Sequence, residues 1–194
     1  NDCGLIIYDK EQQEVFSGGS GCGCCSIVLN SYIVDLLRQG KLDNVLVIAN
    51  TNKKRQLADS KYNERRAECD EVLKIINDNG NNYTYLCDIN EEKMEELMPL
   101  IQNETLKRRC RHVVSENVRT INASKALKEK NIEELGKLLT QSHMSLEKDY
   151  EVTGKELDTL VHSFLAQQGC IGARMTGAGF GGCCIALYKK GFEK

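Results

Sequence analysis

The residues with the clearest chemical potential lie near the C-terminal end, in Thr176-Gly177-Ala178-Gly179-Phe180-Gly181-Gly182. Glycine reaches positive φ without steric cost and lets other groups approach the backbone closely. Four glycines between positions 177 and 182 therefore suit a loop that wraps the polar end of a ligand with main-chain N–H groups. Gly177-x-Gly179-x-x-Gly182 formally matches a dinucleotide fingerprint, but that motif must run from a strand into a helix. Here a helical pattern precedes the glycines and a strand-like run, Cys184 to Tyr188, follows them. A Walker A loop is excluded because no Lys-Ser/Thr pair follows. The alternative is a tight helix-to-strand turn that holds no ligand.

The other reactive side chains are scattered. Ten cysteines in 194 residues are many for a chain without a secretory signal, and reduced thiols are the default. Cys22-x-Cys24-Cys25 has no second pair nearby, and Cys183 and Cys184 point to opposite faces of a strand, so no zinc site is expected. Cys24 and Cys25 precede a helical stretch whose dipole favours the thiolate, but no histidine lies in the first hundred residues to act as base. Buried small residues at a close strand–helix contact are the preferred reading. His112, His143 and His162 fall on helices as packed or surface residues, since no carboxylate or second histidine stands at the spacing metal sites use. Tyr62 carries a phenol that both donates and accepts, a useful group against a sugar hydroxyl; the alternative is an ordinary tyrosine at the core edge.

The elements that position these residues read mostly as helix. Gly4 to Tyr8 is a short strand candidate, Ser26 to Gln39 a helix closed by Gly40, and Asn44 to Ala49 a buried strand. Helix Ser60–Ile76 presents Tyr62, Cys69, Val72, Leu73 and Ile76 on one face, with Arg65 and Arg66 largely off it. Asn79 to Asn82 is a turn, Tyr83 to Leu86 a strand candidate, and Asn90 caps a helix that Pro99 ends. A long helix follows over about 104–130. Its Lys107-Arg108-Arg109-Cys110-Arg111 run reads as a solvated face, because no aromatics interleave and the chain is acidic overall. Asn131 opens the next helix and Thr153-x-x-Glu156 is a capping box for the last, which Gly169 ends. Helices with a single apolar stripe must pack on each other and on a small sheet, which makes the fold class α+β. A net charge of −2 gives no case for nucleic acid or an anionic membrane, and no apolar run approaches a membrane span.

Ala173 to Cys183 resembles the third conserved motif of galactokinases, members of the GHMP small-molecule kinases. Asn50 to Arg55 with Ala58 to Arg66, and Ser142 to Leu146 with Asp149-Tyr150 and Glu156-Leu157-Asp158, are similar to two further segments of that family. The resemblance runs from about Val45 to about Lys190. It implies a helix-rich GHMP-kinase C-terminal domain with a small sheet, ATP-dependent phosphorylation of galactose at the anomeric hydroxyl, ATP and Mg2+ as cofactors, and a cytoplasmic location. It gives Tyr62 the role of reaching the sugar, and it makes Thr176, Gly177, Ala178, Gly179, Phe180, Gly181 and Gly182 a phosphate or substrate loop. The sugar signature, the serine-rich ATP loop, and the reacting aspartate and arginine belong to the family's N-terminal half. None of them occurs here, so no catalytic residue is assigned and the 194-residue chain is expected not to turn over. The family also continues past the strand after the third motif.

Residues 1–49 differ. Asp2 to Asp9, the glycine-cysteine loop Ser17 to Cys25, and Gly40-Lys41-Leu42 resemble the thiolase-fold stage V sporulation protein AD, which handles dipicolinic acid. Two units are expected: a thiolase-like segment over 1–49 and a truncated galactokinase-like C-terminal domain over 50–194, meeting within Val45–Ala49. Without a starting Met the chain reads as a fragment or a processed product. The rival readings are a sporulation-protein fragment that binds a small molecule, and a chimeric product with no function of its own.

Overall fold

The computed structural model describes residues 5–8, 14–18, 44–53 and 58–192. The expected helix over Ser26–Gln39 and the cysteines at 22, 24 and 25 lie outside the described residues. Strand β1 (Leu5–Tyr8) falls where expected and pairs antiparallel with β2 (Glu14–Gly18), a strand in a stretch read from sequence as polar connection and loop.

The rest is built on a three-stranded antiparallel sheet in the order β3-β5-β4, where β3 is Asn44–Asn50, β4 is Cys170–Thr176 and β5 is Cys183–Lys189. All seven residues of β3 pair with β5, from Asn44↔Lys189 to Asn50↔Cys183. Alternation along the strands divides the apolar side chains between two faces. Cys184, Ala186 and Tyr188 join Val45, Val47, Ala49, Ala173 and Met175 under Leu157 and Val161 of α5 (Lys155–Leu165). Leu187 and Leu46 face the opposite way, into a cluster with Leu135, Leu138 and Leu139 of α4 (Ile132–Ser145) and Ala123, Ala126 and Leu127 of α3 (Glu104–Lys128). β3 is not the buried strand expected: it lies at the sheet edge, half-buried, with Ile48 63% exposed.

Helix α4 lies directly on the backbone of β4. A Cβ on Gly136 would come 2.4 Å from Ile171 O, and one on Gly172 would come 2.0 Å from Gly136 O. Glycine inside a helix costs about 1 kcal/mol in propensity, and here it permits that approach. A second core gathers Val72 and Ile76 of α1 (Ala58–Asp78), Met94 and Leu97 of α2 (Glu91–Leu97), and Leu106, Cys110, Val113 and Val114 of α3. Asn90, Asn103 and Asn131 cap α2, α3 and α4 with their side-chain oxygens. Pro99 falls in a short 3₁₀ turn, Met98–Leu100, that ends α2 as expected.

Several local expectations are corrected. Tyr83 to Leu86 forms no strand: Asn77 binds both polar groups of the Tyr83 backbone, and a 3₁₀ turn starts at Leu86. The first residue of α5 is preceded by Gly154 at φ +91°, with no side-chain cap, so the Thr153–Glu156 capping box is not made. The stretch before the glycines is strand β4, not helix. Gly169, at φ +83°, ends the preceding helical run first. The glycines therefore span a β-hairpin.

Candidate functional site

The loop closing the β4–β5 hairpin takes its shape from its glycines. Gly177, Gly179, Gly181 and Gly182 all have positive φ, and Phe180 joins them at φ +56°. A non-glycine residue held there is strained and persists only when its surroundings fix it. The fixing contacts are specific. Phe180 N–H donates to Val152 O at 2.8 Å, and its ring packs into the α5-side core. A Cβ on Gly179 would fall 1.9 Å from Val152 O. On the other flank, Thr51 donates both its N–H and its hydroxyl to Gly182 O, each at 2.9 Å, and a Cβ on Gly181 would fall 2.9 Å from Lys53 O. Thr176 ends β4 opposite Cys183, and Ala178 stands exposed at the tip. Among the described residues, no hydrogen bond is formed by the N–H groups of Ala178 and Gly179.

The turn that leads into Val152 is held by arginines that the sequence did not single out. Helix α4 runs into a π-helical turn, Leu146–Tyr150, which ends at Glu151 with φ +55°. Arg65 Nε donates to Tyr150 O at 2.6 Å, and Arg109 Nη1 donates to Asp149 O. Arg109 Nη2 reaches Glu151 Oε2 at 2.8 Å and its Nε reaches Glu68 at 2.6 Å. Arg109 is 1% exposed and Arg65 6%. Both readings as surface arginines are therefore corrected: the basic run of α3 is a solvated face except at Arg109, which turns inward to clamp backbone carbonyls and two carboxylates. Buried charges are tolerated when paired in this way.

A second buried network holds β4. Arg174 Nη1 lies 3.6 Å from Glu116 Oε1, and Arg119 Nε donates to Glu116 Oε2 at 2.7 Å. Ser142 completes the carboxylate's shell by donating to Oε1. Burial alone would raise the Glu116 carboxyl, but the charges of Arg174 and Arg119 and the Ser142 hydrogen bond outweigh it and pull it to about 2. His112 stacks on Tyr150 at 4.3 Å, and its Nδ1 lies 2.9 Å from Ser145 Oγ. Its burial pushes the imidazole down to about 4, so it is neutral at physiological pH.

Tyr62, the other residue singled out, lies in the second turn of α1 and is 44% exposed. The exposed ion pair of Lys53 with Glu156, at 2.7 Å, stands beside the loop on the Thr51–Lys53 side. The loop itself carries no carboxylate. Its free N–H groups fit an anionic or hydroxylated oxygen ligand; they do not form a magnesium site, which requires hard oxygen donors.

Comparison with known proteins agrees with this geometry. Residues 123–193 match the family described as GHMP kinases C terminal, and residues 1–60 match stage V sporulation protein AD. The galactokinase of Streptococcus thermophilus is 50% identical over 177 residues, covering 90% of this chain and 45% of that protein. The galactokinase of Clostridium perfringens (strain SM101 / Type A) is 54% identical over 145 residues, covering 75% and 37% respectively. The crystal structure of Lactococcus lactis galactokinase complexed with galactose superposes with a TM-score of 0.73 at 50% identity, over 76% of this chain and 38% of that one. The chain thus spans less than half the length of the curated relatives it matches. The body carrying the glycine hairpin thus matches the GHMP kinase C-terminal family model over residues 123–193 and is similar to the corresponding part of galactokinases.

Proposed function

We propose that the described body is the supporting half of a galactokinase-type sugar kinase, whose complete reaction is ATP-dependent phosphorylation of galactose at the anomeric hydroxyl. The observation that carries this reading is the glycine hairpin, locked between Val152 and Thr51–Lys53 with the Ala178 and Gly179 N–H groups left as donors. Thr176, Gly177, Ala178, Gly179, Phe180, Gly181 and Gly182 form the wall against a phosphate or sugar oxygen, and Tyr62 supplies a hydroxyl toward the sugar.

Phosphoryl transfer depends on placing the phosphoryl group in line with the attacking oxygen and on stabilising its charge. ATP supplies the phosphoryl group. What these residues contribute is a rigid wall of main-chain donors, preorganised by the Arg65–Arg109 clamp and the Arg174–Glu116 pair, so that little reorganisation is needed when charge develops. No described residue is assigned a proton transfer or a magnesium ligand. A cytoplasmic location accords with this reading, and among the described residues no helix is long and apolar enough to cross a membrane.

We place the meeting of the two resemblances within β3, with a thiolase-like segment over 1–49 and the galactokinase-like domain over 50–194. A strand from either source can fill that position if it keeps this register, in which five apolar residues between Asn44 and Asn50 lie along β5.

The test is complementation. The chain is mixed with the N-terminal half of a galactokinase and galactose phosphorylation is followed. Restored activity that Gly179→Val abolishes and Tyr62→Phe weakens, mainly through KM, is the expected result. Activity indifferent to both substitutions would remove the loop and Tyr62 from the site.

A further inference from the structure

A buried line of polar groups runs from the root of the glycine hairpin to the turn that supports it. Within the described sheet β4 pairs only with β5, so alternate residues turn their backbone N–H and C=O toward its open edge. Met175, one residue before the loop, is such a position, and side chains take both of its groups. Its C=O accepts from Arg174 Nε at 3.0 Å, and its N–H donates to His143 Nδ1 at 3.3 Å. His143 is fully buried on α4. A neutral imidazole that accepts at Nδ1 carries its one proton on Nε2, and that Nε2–H faces Asp158 Oδ1 of α5 across 3.6 Å. Neither atom has a hydrogen-bond partner elsewhere among the described residues. The separation exceeds a hydrogen bond, but it sets donor against acceptor and leaves one tautomer compatible with both sides of the ring. The Asp158 carboxylate is held in turn by the hydroxyl of Thr153, which is buried. Thr153 follows Val152, the residue whose carbonyl receives the Phe180 N–H.

We propose that His143 is a positioning residue for the glycine hairpin, fixed in its Nε2–H tautomer by Asp158 so that Nδ1 holds the Met175 N–H. The inference rests on the reading of the hairpin as a ligand wall. The loop is then gripped at two points that share one support. Phe180 N–H binds Val152 O on the far side, and Met175 N–H is bound at the root by a ring oriented, through Asp158, from Thr153. Between these points lie Gly177 and Gly179 at φ +89° and +82°, where glycine backbone has little stiffness of its own. The two grips therefore set the direction of the Ala178 and Gly179 N–H groups. A proton on Nδ1 in place of Nε2 would set two N–H groups against each other at Met175 and release the root of the loop. The surroundings keep the ring neutral. Burial pushes the imidazole down to about 4, and the charges of His162, whose ring lies 6.1 Å away, and of Arg174 act in the same direction. An apolar side chain would fill the same space on α4, but it would leave the buried Met175 N–H without an acceptor.

The test is NMR of the full 194-residue chain, and its outcome stands whether or not the chain supports phosphoryl transfer. Nitrogen-15 spectra of the histidine rings at neutral pH should show His143 protonated on Nε2 alone, with a scalar coupling across the Met175 N–H···Nδ1 bond. Two variants divide the functions of the ring. Asparagine carries its Oδ1 as many bonds from Cβ as Nδ1 stands, and glutamine carries its Nε2 as far out as the ring Nε2. His143→Asn should therefore keep the Met175 bond, and His143→Gln should lose it. Amide exchange of Met175 is read as a ratio to that of Leu187 on β5, so that a change in global stability cancels. That ratio should rise about tenfold in His143→Gln and stay within about twofold in His143→Asn. The amide resonances of Gly177, Ala178 and Gly179 should shift in the first variant and hold in the second. Thr153→Val removes only the hydroxyl behind Asp158 and should move the same resonances by less, which keeps the test decisive if a His143 variant fails to fold. A native ring protonated on Nδ1, an equal exchange ratio in the two His143 variants, or loop resonances unmoved by His143→Gln and Thr153→Val would overturn the proposal.

Discussion

Gly179→Ala separates a loop that is merely glycine-rich from one shaped by contact. Two costs add. Holding alanine at φ +82° costs about 1–2 kcal/mol. The new Cβ would also stand 1.9 Å from Val152 O and 2.9 Å from its carbonyl carbon, so the peptide must move. That movement breaks the Phe180–Val152 hydrogen bond, worth about 0.5–1.5 kcal/mol net, and the repacking adds about 1 kcal/mol or more. The sum is about 3–4 kcal/mol, a large part of a typical stability of roughly 5–15 kcal/mol. For a chain of this size each kcal/mol shifts the melting temperature by about 2–4 °C, so a fall of about 6–16 °C follows. Gly80 is the control: its φ is +86°, but a Cβ there meets nothing within 4 Å. Gly80→Ala carries only the dihedral cost and should fall by about half as much or less. Thermal unfolding by circular dichroism measures both. Equal losses in the two variants would refute the contact with Val152 as the cause.

Other consequences are sharper in kind than in size. Arg109→Met removes a buried cation from Glu68 and Glu151, which keep Arg65 and Arg108, and takes the donor from Asp149 O, so urea unfolding should show a loss of about 1–3 kcal/mol. His112 and His143 are each pushed to about 4 by burial, below their unfolded value near 6.5. The unfolded chain therefore binds more protons between these limits, and stability should fall by up to about 1.4 kcal/mol per pH unit per histidine as pH drops from 6.5 toward 4. Urea midpoints at pH 7.5, 6 and 5 show whether that slope exists. Glu116, at about 2, adds stability that is present above its unfolded value near 4.5 and is lost only as pH falls toward 2. Burial raises the thiols of Cys69 and Cys184 to about 11 and Cys110 to about 12, so a thiol reagent at pH 7.5 should label these three only on unfolding.

Helix positions and caps were legible because they are local: Asn90 and Asn131 stand where a helix needs an acceptor, and Pro99 stands where one must stop. The stretch 173–183 was legible as a tightly shaped loop because four glycines in six positions ask for positive φ. The failures share a physical cause. Whether Arg109 points to solvent or inward depends on Glu68 and Glu151, 41 and 42 residues away in sequence. Tyr83 to Leu86 has strand composition but, among the described residues, no neighbouring strand to pair with, and β4 follows a helix so closely that its start was hidden behind Gly169.

On the proposed reading, this chain holds the wall of a sugar-kinase site without its reacting groups. The most direct measurement is ³¹P NMR of the purified 194-residue chain with galactose, ATP and magnesium in excess. Misplacing reacting groups by about 1 Å costs on the order of a hundredfold, and on that reading the reacting groups are not among these 194 residues at all. No galactose 1-phosphate resonance should grow above that of an enzyme-free control. A steadily growing resonance from the chain alone would contradict it.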